Sequence, residues 1–299
     1  MGSISYSSFT LENVPGAAED PLYRLMREYR EDKDANKIDL GIGAYRDSSG
    51  KPWVLPIFAQ AGFAVKEYPY YLATTRNIDI EGMLESLRDA PRGSTIVLQA
   101  CAHNPTGIDP TQEDWKQIAQ VIRERSHFPF IDCAYQGFAS GDLLRDSWVC
   151  RYFIEQDFEC CIAQSFAKNL GLYGERAGAF HFICAPGSSA TELATRISSQ
   201  LAIIQRAEIS NPPSYGSKIA SCVLNDEALF SQWQEELCLM SGRLAGVRKE
   251  IQSGLEERGT PGSWSHLSTQ IGMFSYTGLS KGQIRTLKEK WHIYMVSLS

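Results

Sequence analysis

TIVLQACAHNPTGIDPTQEDWKQIAQVIRERSHFPFID, residues 95–132, holds a strand, a turn, a helix and a second strand in one run. TIVLQAC at 95–101 is a short apolar stretch with the length of a buried strand. HNPTGIDPT follows, and its two prolines mark a turn. From 112 to 125, QEDWKQIAQVIRER places Trp115, Ile118, Ala119 and Ile122 on one face of a helix. FPFID at 128–132 returns to an apolar strand. This alternation predicts strands joined by helical crossovers, the pattern of a parallel sheet.

The same rhythm continues toward the carboxyl end. A helical stretch over about 142–156 leads to a strand at 160–166 (CCIAQSF), a further strand at 178–185 (GAFHFICA) and a helix over 189–208. The expected fold class is α/β, with a mostly parallel sheet and helices on both faces. Residues 227–258 carry Trp233, Leu237, Met240, Leu244, Val247, Ile251 and Leu255 at mixed three- and four-residue spacing, which predicts a long helix broken near Gly242. QIGMFSY at 270–276 reads as a strand, and 280–289 as a short helix, so the last third forms a smaller domain. The front of the chain, with KIDLGIGAYRD at 37–47 and KPWVLPIFAQ at 51–60, shows turn signals and no long element.

Composition narrows the function. With 35 acidic and 29 basic residues the formal charge is −6, which argues against a general nucleic-acid binder and leaves room for a local anion pocket. No apolar run is long enough to span a membrane. The first twenty residues lack a basic region followed by an apolar core, so a cytoplasmic protein is expected. The eight cysteines have no paired short spacing and the five histidines no ligand spacing, so neither a disulfide scaffold nor a metal site is expected. The glycines of LGIGAYRDSSG lack the phosphate-loop patterns of nucleotide binders.

In parallel sheets ligands sit beyond the carboxyl ends of the strands, which selects the loops near His103, Asp132 and Ser165. Lys168 follows the strand ending at Phe166 and precedes a polar, glycine-bearing loop. At such a rim a lysine is either a solvated surface residue or an amine tuned for covalent chemistry. Asp132 ends an apolar strand, where a lone carboxylate needs a partner. A protonated pyridine nitrogen is one such partner, and a helix cap or an internal arginine are others. Tyr135 and Asn104 offer hydrogen-bond donors to a phenolic oxygen, or serve as a rim tyrosine and a turn asparagine. Ser165 and Arg176 suit a phosphate, and Arg206 a carboxylate, unless they are ordinary surface groups.

Taken in order, LGIGAYRD at 40–47, PWVLP at 52–56, ACAHNPTGIDPT at 100–111, FPFIDCAYQGFASGDL at 128–143, QSFAKNLGLYGERAGAF at 164–180, SNPP at 210–213, TPGSW at 260–264 and QIGMFSYTGL at 270–279 resemble the aspartate aminotransferase family. These are the fold-type I enzymes that depend on pyridoxal 5'-phosphate. The resemblance covers roughly residues 7 to 296. It implies a homodimer that moves an amino group between L-aspartate, or a related amino acid, and a 2-oxo acid such as 2-oxoglutarate, in a ping-pong reaction. It implies that Lys168 bonds the cofactor and shuttles the substrate proton, and that Asp132 pairs with the pyridine nitrogen. Tyr135 and Asn104 would bind the phenolic oxygen, Ser165 and Arg176 the phosphate. Gly43 would lie in a segment that closes over substrate, Asn104–Pro105 would be cis, and Arg206 would grip a side-chain carboxylate across the dimer.

Two departures from the family set further expectations. After PWVLPIFAQ the chain passes directly to AGFAVKEYPYY, skipping a long block that carries a phosphate cradle and sheet-covering helices. HIYMVSLS at 292–299 stops before the family's arginine for the α-carboxylate. Both domains are therefore expected to be incomplete and apolar sheet surface to be bare. The implied division is an arm and small-domain portion at 1–36, a cofactor-binding large domain at 37–225 and a shortened small domain at 226–299. Two alternatives to the active enzyme follow: an impaired or specialised aminotransferase paralogue or isoform, and a non-catalytic partner of a full-length relative.

Overall fold

The computed structural model describes residues 21–40 and 64–295. By its contacts the chain divides into two compact units, Lys66–Gly278 on one hand and the segments up to Val65 and from Leu279 on the other. The elements in chain order are α1 (Pro21–Glu31), β1 (Ile38–Leu40), β2 (Tyr71–Leu72), β3 (Asn77–Ile78), α2 (Ile80–Asp89), β4 (Thr95–Gln99), α3 (Gln112–Glu124), β5 (Phe128–Cys133), α4 (Leu143–Asp146), α5 (Trp148–Glu155), β6 (Cys160–Ser165), β7 (Gly178–Ile183), α6 (Ala190–Glu208), α7 (Tyr215–Asn225), α8 (Glu227–Glu257), α9 (Ser265–Thr269), α10 (Lys281–Trp291) and β8 (Ile293–Met295).

In the larger unit the four-stranded sheet runs β4-β5-β6-β7. The first three strands are parallel and β7 is antiparallel to β6, so the sheet is mixed. The pleat puts Ile96, Leu98, Ile131, Cys160 and Ile162 on one face, where they join Met83, Leu84 and Leu87 of α2, Trp115, Ile118 and Ile122 of α3, and Val149 and Phe153 of α5 in the main core. Each large side chain buried there contributes about 1.5–3 kcal/mol. α3 starts on a capping box in which the Thr111 and Asp114 side chains each bond the other's backbone amide.

The opposite face stays open. Val97 is 53% exposed and Phe180 48%, beside the ring pairs Phe128–Phe182 and Phe130–Phe180. This is the bare apolar sheet surface expected from the skipped block. The core face is packed by α2, α3 and α5, while on the other face Val97 and Phe180 remain about half exposed.

Two sequence expectations need correction, and one element lay outside them. α8 runs unbroken through Gly242, because one exposed helical glycine costs only about 1 kcal/mol and a 31-residue helix absorbs it. Residues 270–276 form no strand: the Gln270 side chain exchanges hydrogen bonds with the backbone of Tyr276, and Gly272 turns the chain at φ +79°. α2 was not anticipated at all, although Asp79 caps it and Met83, Leu84 and Leu87 lie on its buried side.

In the smaller unit, β1 pairs in parallel with β8. Asp32, just after α1, accepts hydrogen bonds from Tyr294 Oη (2.5 Å) and His292 Nδ1 (2.8 Å), while His292 Nε2 lies 3.3 Å from Asp34. Lys288 of α10 pairs with Glu28 of α1.

Candidate active site

The carboxyl ends of β4, β5 and β6 bring Asn104, Asp132, Tyr135 and Lys168 to one edge of the sheet. β5 carries Asp132 in its last turn of pleat, in register with Gln99 of β4 and Ala163 of β6. Tyr135 follows two residues beyond the strand and is buried, with its ring edge-on to Phe274 at 5.6 Å. Lys168 sits in the turn after β6, where Leu170 N–H returns to the Phe166 carbonyl and Gly171 N–H to that of Lys168 itself. Its Nζ lies over the Tyr135 ring, 4.9 Å from the centroid.

The loop after β4 is fixed by its own polar groups. The Gln99 side chain accepts from Asn104 N–H (2.8 Å) and donates to the Asn104 carbonyl (3.1 Å), a two-way clamp. The Asp109 carboxylate accepts from the backbone amides of Ala102 (2.6 Å) and His103 (2.8 Å). The Asn104–Pro105 bond is cis. So held, Asn104 Nδ2 donates to the Tyr135 hydroxyl at 3.2 Å. The residues 270–276 approach closely: a Cβ on Gly272 would stand 2.3 Å from that of Ala102, and one on Gly107 2.8 Å from the Phe274 carbonyl oxygen. Only glycine fits either place.

Partial burial sets the electrostatics. Desolvation pulls the Lys168 amine below its ordinary value, Asp132 works against that, and the positive charge of Arg176 adds to it. Desolvation likewise raises Asp132, with Lys168 opposing. Tyr135 is raised by burial, against the hydrogen bond from Asn104. Behind them His103, stacked on Tyr70 with centroids 3.7 Å apart, is lowered to about 4 by burial, and Asp109 is raised to about 6.

The arrangement suits pyridoxal phosphate at its ring end. Asp132 is a half-buried carboxylate that no described donor hydrogen-bonds. Asn104 Oδ1 is a buried acceptor with no partner. An amine of lowered proton affinity stands near Asp132 and over the Tyr135 ring. When bound, the cofactor supplies an electron sink conjugated to the substrate's α-carbon. With the group bound, Asp132 would stand available to a protonated ring nitrogen, Tyr135 and Asn104 to a phenolic oxygen, and Lys168 to a proton in transfer.

The other expected residues are less gathered. Ser165 ends β6, and its Oγ accepts from Ala167 N–H at 3.2 Å. Arg176 is exposed, at φ +52°, and donates to the Tyr173 carbonyl. Arg206 lies in the exposed last turn of α6 and bonds the Ser210 hydroxyl, apart from the Lys168 cluster in every hydrogen bond it makes. Gly43 is outside the described residues. Sequence reasoning missed Gln99, Asp109, Asp146 and Arg248. Arg248 is buried on α8 and donates to the carbonyls of Gly272 and Phe274, while Asp146 accepts from the amides of Gly137, Ala139 and Ser140. Each binds backbone, and a side chain that serves distant backbone leaves no spacing to recognise. Among the described residues no cluster of His, Cys, Asp or Glu suits a metal ion, and no helix is long and apolar enough to cross a membrane.

Comparison with known proteins agrees with this geometry. Residues 52–299 match the family model for aminotransferase class I and II. The cytoplasmic aspartate aminotransferase of Schizosaccharomyces pombe is 35% identical over 380 aligned positions, covering 96% of this chain and 92% of that protein. Since this chain has 299 residues, that relative holds at least 81 positions that the chain skips. The cytoplasmic enzyme of that name from Oryza sativa is 46% identical over 241 residues, 81% of this chain but only 58% of its own length. Among solved structures, aspartate aminotransferase from Saccharomyces cerevisiae cytoplasm superposes with a TM-score of 0.87 at 33% identity, covering 97% of this chain and 93% of that one. An aromatic-amino-acid aminotransferase from Burkholderia pseudomallei, covalently bound to pyridoxal phosphate, gives 0.87 at 28% identity over 96% and 93%. With the fold, the lysine at the sheet edge and these likenesses in agreement, the chain belongs to the class I and II aminotransferase family.

Proposed function

We propose that the protein is a pyridoxal-phosphate-dependent aminotransferase that moves an amino group between L-aspartate, or a related amino acid, and 2-oxoglutarate. The observation that carries this reading is the Lys168 amine over the Tyr135 ring, with the Asp132 carboxylate and the Asn104–Tyr135 hydrogen bond at the same sheet edge. In it, Lys168 bonds the cofactor and then carries the α-proton of the substrate; its lowered proton affinity keeps a share of the amine neutral, as a base must be. Asp132 stays ionised beside a ring nitrogen, and Tyr135 and Asn104 hold a phenolic oxygen. Ser165 and Arg176 serve the phosphate, and Gly43 the closing segment.

Arg206 serves the site of a second copy, gripping a side-chain carboxylate in a homodimer. Support comes from its exposure together with the apolar side chains around it, since Ile203, Ile204 and Ile209 are each more than half exposed. The cytoplasmic names of the fission-yeast and rice relatives support the cytosol as its compartment.

A single-turnover assay tests the reading. The chain loaded with pyridoxal phosphate is mixed with aspartate, and released 2-oxo acid is counted by mass spectrometry. About one equivalent per chain is expected, and none from Lys168→Ala; equal yields from both chains would overturn it. The bare face of the sheet favours one variant of this reading, an impaired paralogue that completes the half-reaction slowly.

A further inference from the structure

Asn169 is only 3% exposed, and it joins the two segments on which the site depends. Its Nδ2 donates to the carbonyl of Gln136 at 3.1 Å, and its own carbonyl accepts from the Trp233 indole Nε1 at 2.7 Å. Lys168 precedes Asn169 in the chain and Tyr135 precedes Gln136. One side-chain hydrogen bond therefore closes a bridge between the turn that carries the amine and the segment that carries the phenol. Gln136 is itself immobilised: its Oε1 accepts from Gln164 Nε2 (2.7 Å) and its Nε2 donates to the Leu143 carbonyl (3.0 Å). Asp146 pins the three amides beyond it.

The bridge is retained at a cost. Asn169 Oδ1 is buried without a hydrogen-bond partner, and an orphaned buried acceptor costs about 1–3 kcal/mol. An apolar residue of the same size would avoid that penalty but could not donate to Gln136. We propose that Asn169 is a positioning residue that sets the Lys168 amine against Tyr135 and Asp132 through this bridge, a role that rests on the cofactor function proposed for Lys168. The charged and titratable groups facing the amine are Asp132 from β5, Arg176 from the loop before β7, and Tyr135. Without the bridge the amine leaves this half-buried place for solvent and behaves as an ordinary lysine.

The test needs no turnover. In the purified full chain without added cofactor, the pH dependence of lysine acetylation is followed at Lys168 by mass spectrometry, with exposed Lys218 and Lys249 as internal references. In the unsubstituted chain the Lys168 midpoint is expected below those of the references. In Asn169→Leu it is expected to rise toward them, while circular dichroism shows the fold retained. Trp233→Phe, which removes the donor to the Asn169 carbonyl while keeping an aromatic ring in the core, is expected to move it the same way, and it decides the matter if Asn169→Leu does not fold. A folded variant with an unchanged Lys168 midpoint overturns the proposal. Treatment of the unsubstituted chain with pyridoxal phosphate and borohydride separates the two claims: no adduct on Lys168 would sink the cofactor role, yet leave a shifted midpoint as proof of the bridge.

Discussion

Asp109 and His103 are neighbours in one buried loop with opposite claims on pH. Asp109, raised to about 6 from 3.8, makes the folded state bind the extra proton, so its contribution to stability falls as pH rises from about 4 to 6. His103, lowered to about 4 from 6.5, makes the folded state refuse one, so its contribution grows with pH from about 4 to 6.5. Each shift of about two units is worth about 3 kcal/mol, and the two slopes oppose each other. Across that window the stability to urea should therefore fall more steeply with pH in His103→Gln than in the intact chain, and rise more steeply in Asp109→Asn. Equal slopes in both variants would show that these groups do not set the balance. At this scale the sequence was informative where a motif named the residue: Lys168, Asp132, Tyr135 and Asn104 lie at one sheet edge. It was silent on Gln99 and Asp109, because both act on loop backbone through a fold that no spacing encodes.

The strands and helices from residue 95 onward were legible because their apolar period is strong and their ends are punctuated by Thr111, Gly137 and Gly171. What failed did so for local reasons. Gln270 replaced strand pairing with its own hydrogen bonds, and Gly242 was too weak a breaker for α8. The parallel pair of β1 and β8 joins residues far apart in the chain, so no window could reveal it. Its adjoining contact has a pH signature. His292 faces Asp32 and Asp34 with its two ring nitrogens, with Tyr294 on the same Asp32 carboxylate, and the hydrogen bond to Asp32 raises the imidazole above 6.5. Its stabilising effect is complete below that value and is lost as pH rises through the raised one. Hydrogen exchange of Ile293–Met295 should accordingly quicken, beyond the intrinsic rate increase, on passing from pH 6 to 8; in His292→Ala that extra change should be absent. If it persists in the variant, His292 is not the titrating group.

For the molecule as a whole, the class of fold and the skipped block could be read from ordered motifs, while which sheet face the omission uncovers required the register of β4 to β7. That face, with Val97 and Phe180 about half exposed, should bind a hydrophobic dye, and Val97→Thr with Phe180→Asn should weaken the signal at least severalfold. Undiminished dye fluorescence would place the apolar surface elsewhere, with α6 the next candidate. The central claim lies at the sheet edge, where the Lys168 amine, the Asp132 carboxylate, the Tyr135 phenol and the Asn104 amide meet. The most direct measurement is peptide mass spectrometry of the chain after pyridoxal phosphate and borohydride. The expected result is one pyridoxyl group on Lys168, at a loading well above that of any other lysine and absent in Lys168→Ala. Labelling spread evenly over the exposed lysines, with Lys168 no more modified than Lys218, would contradict it.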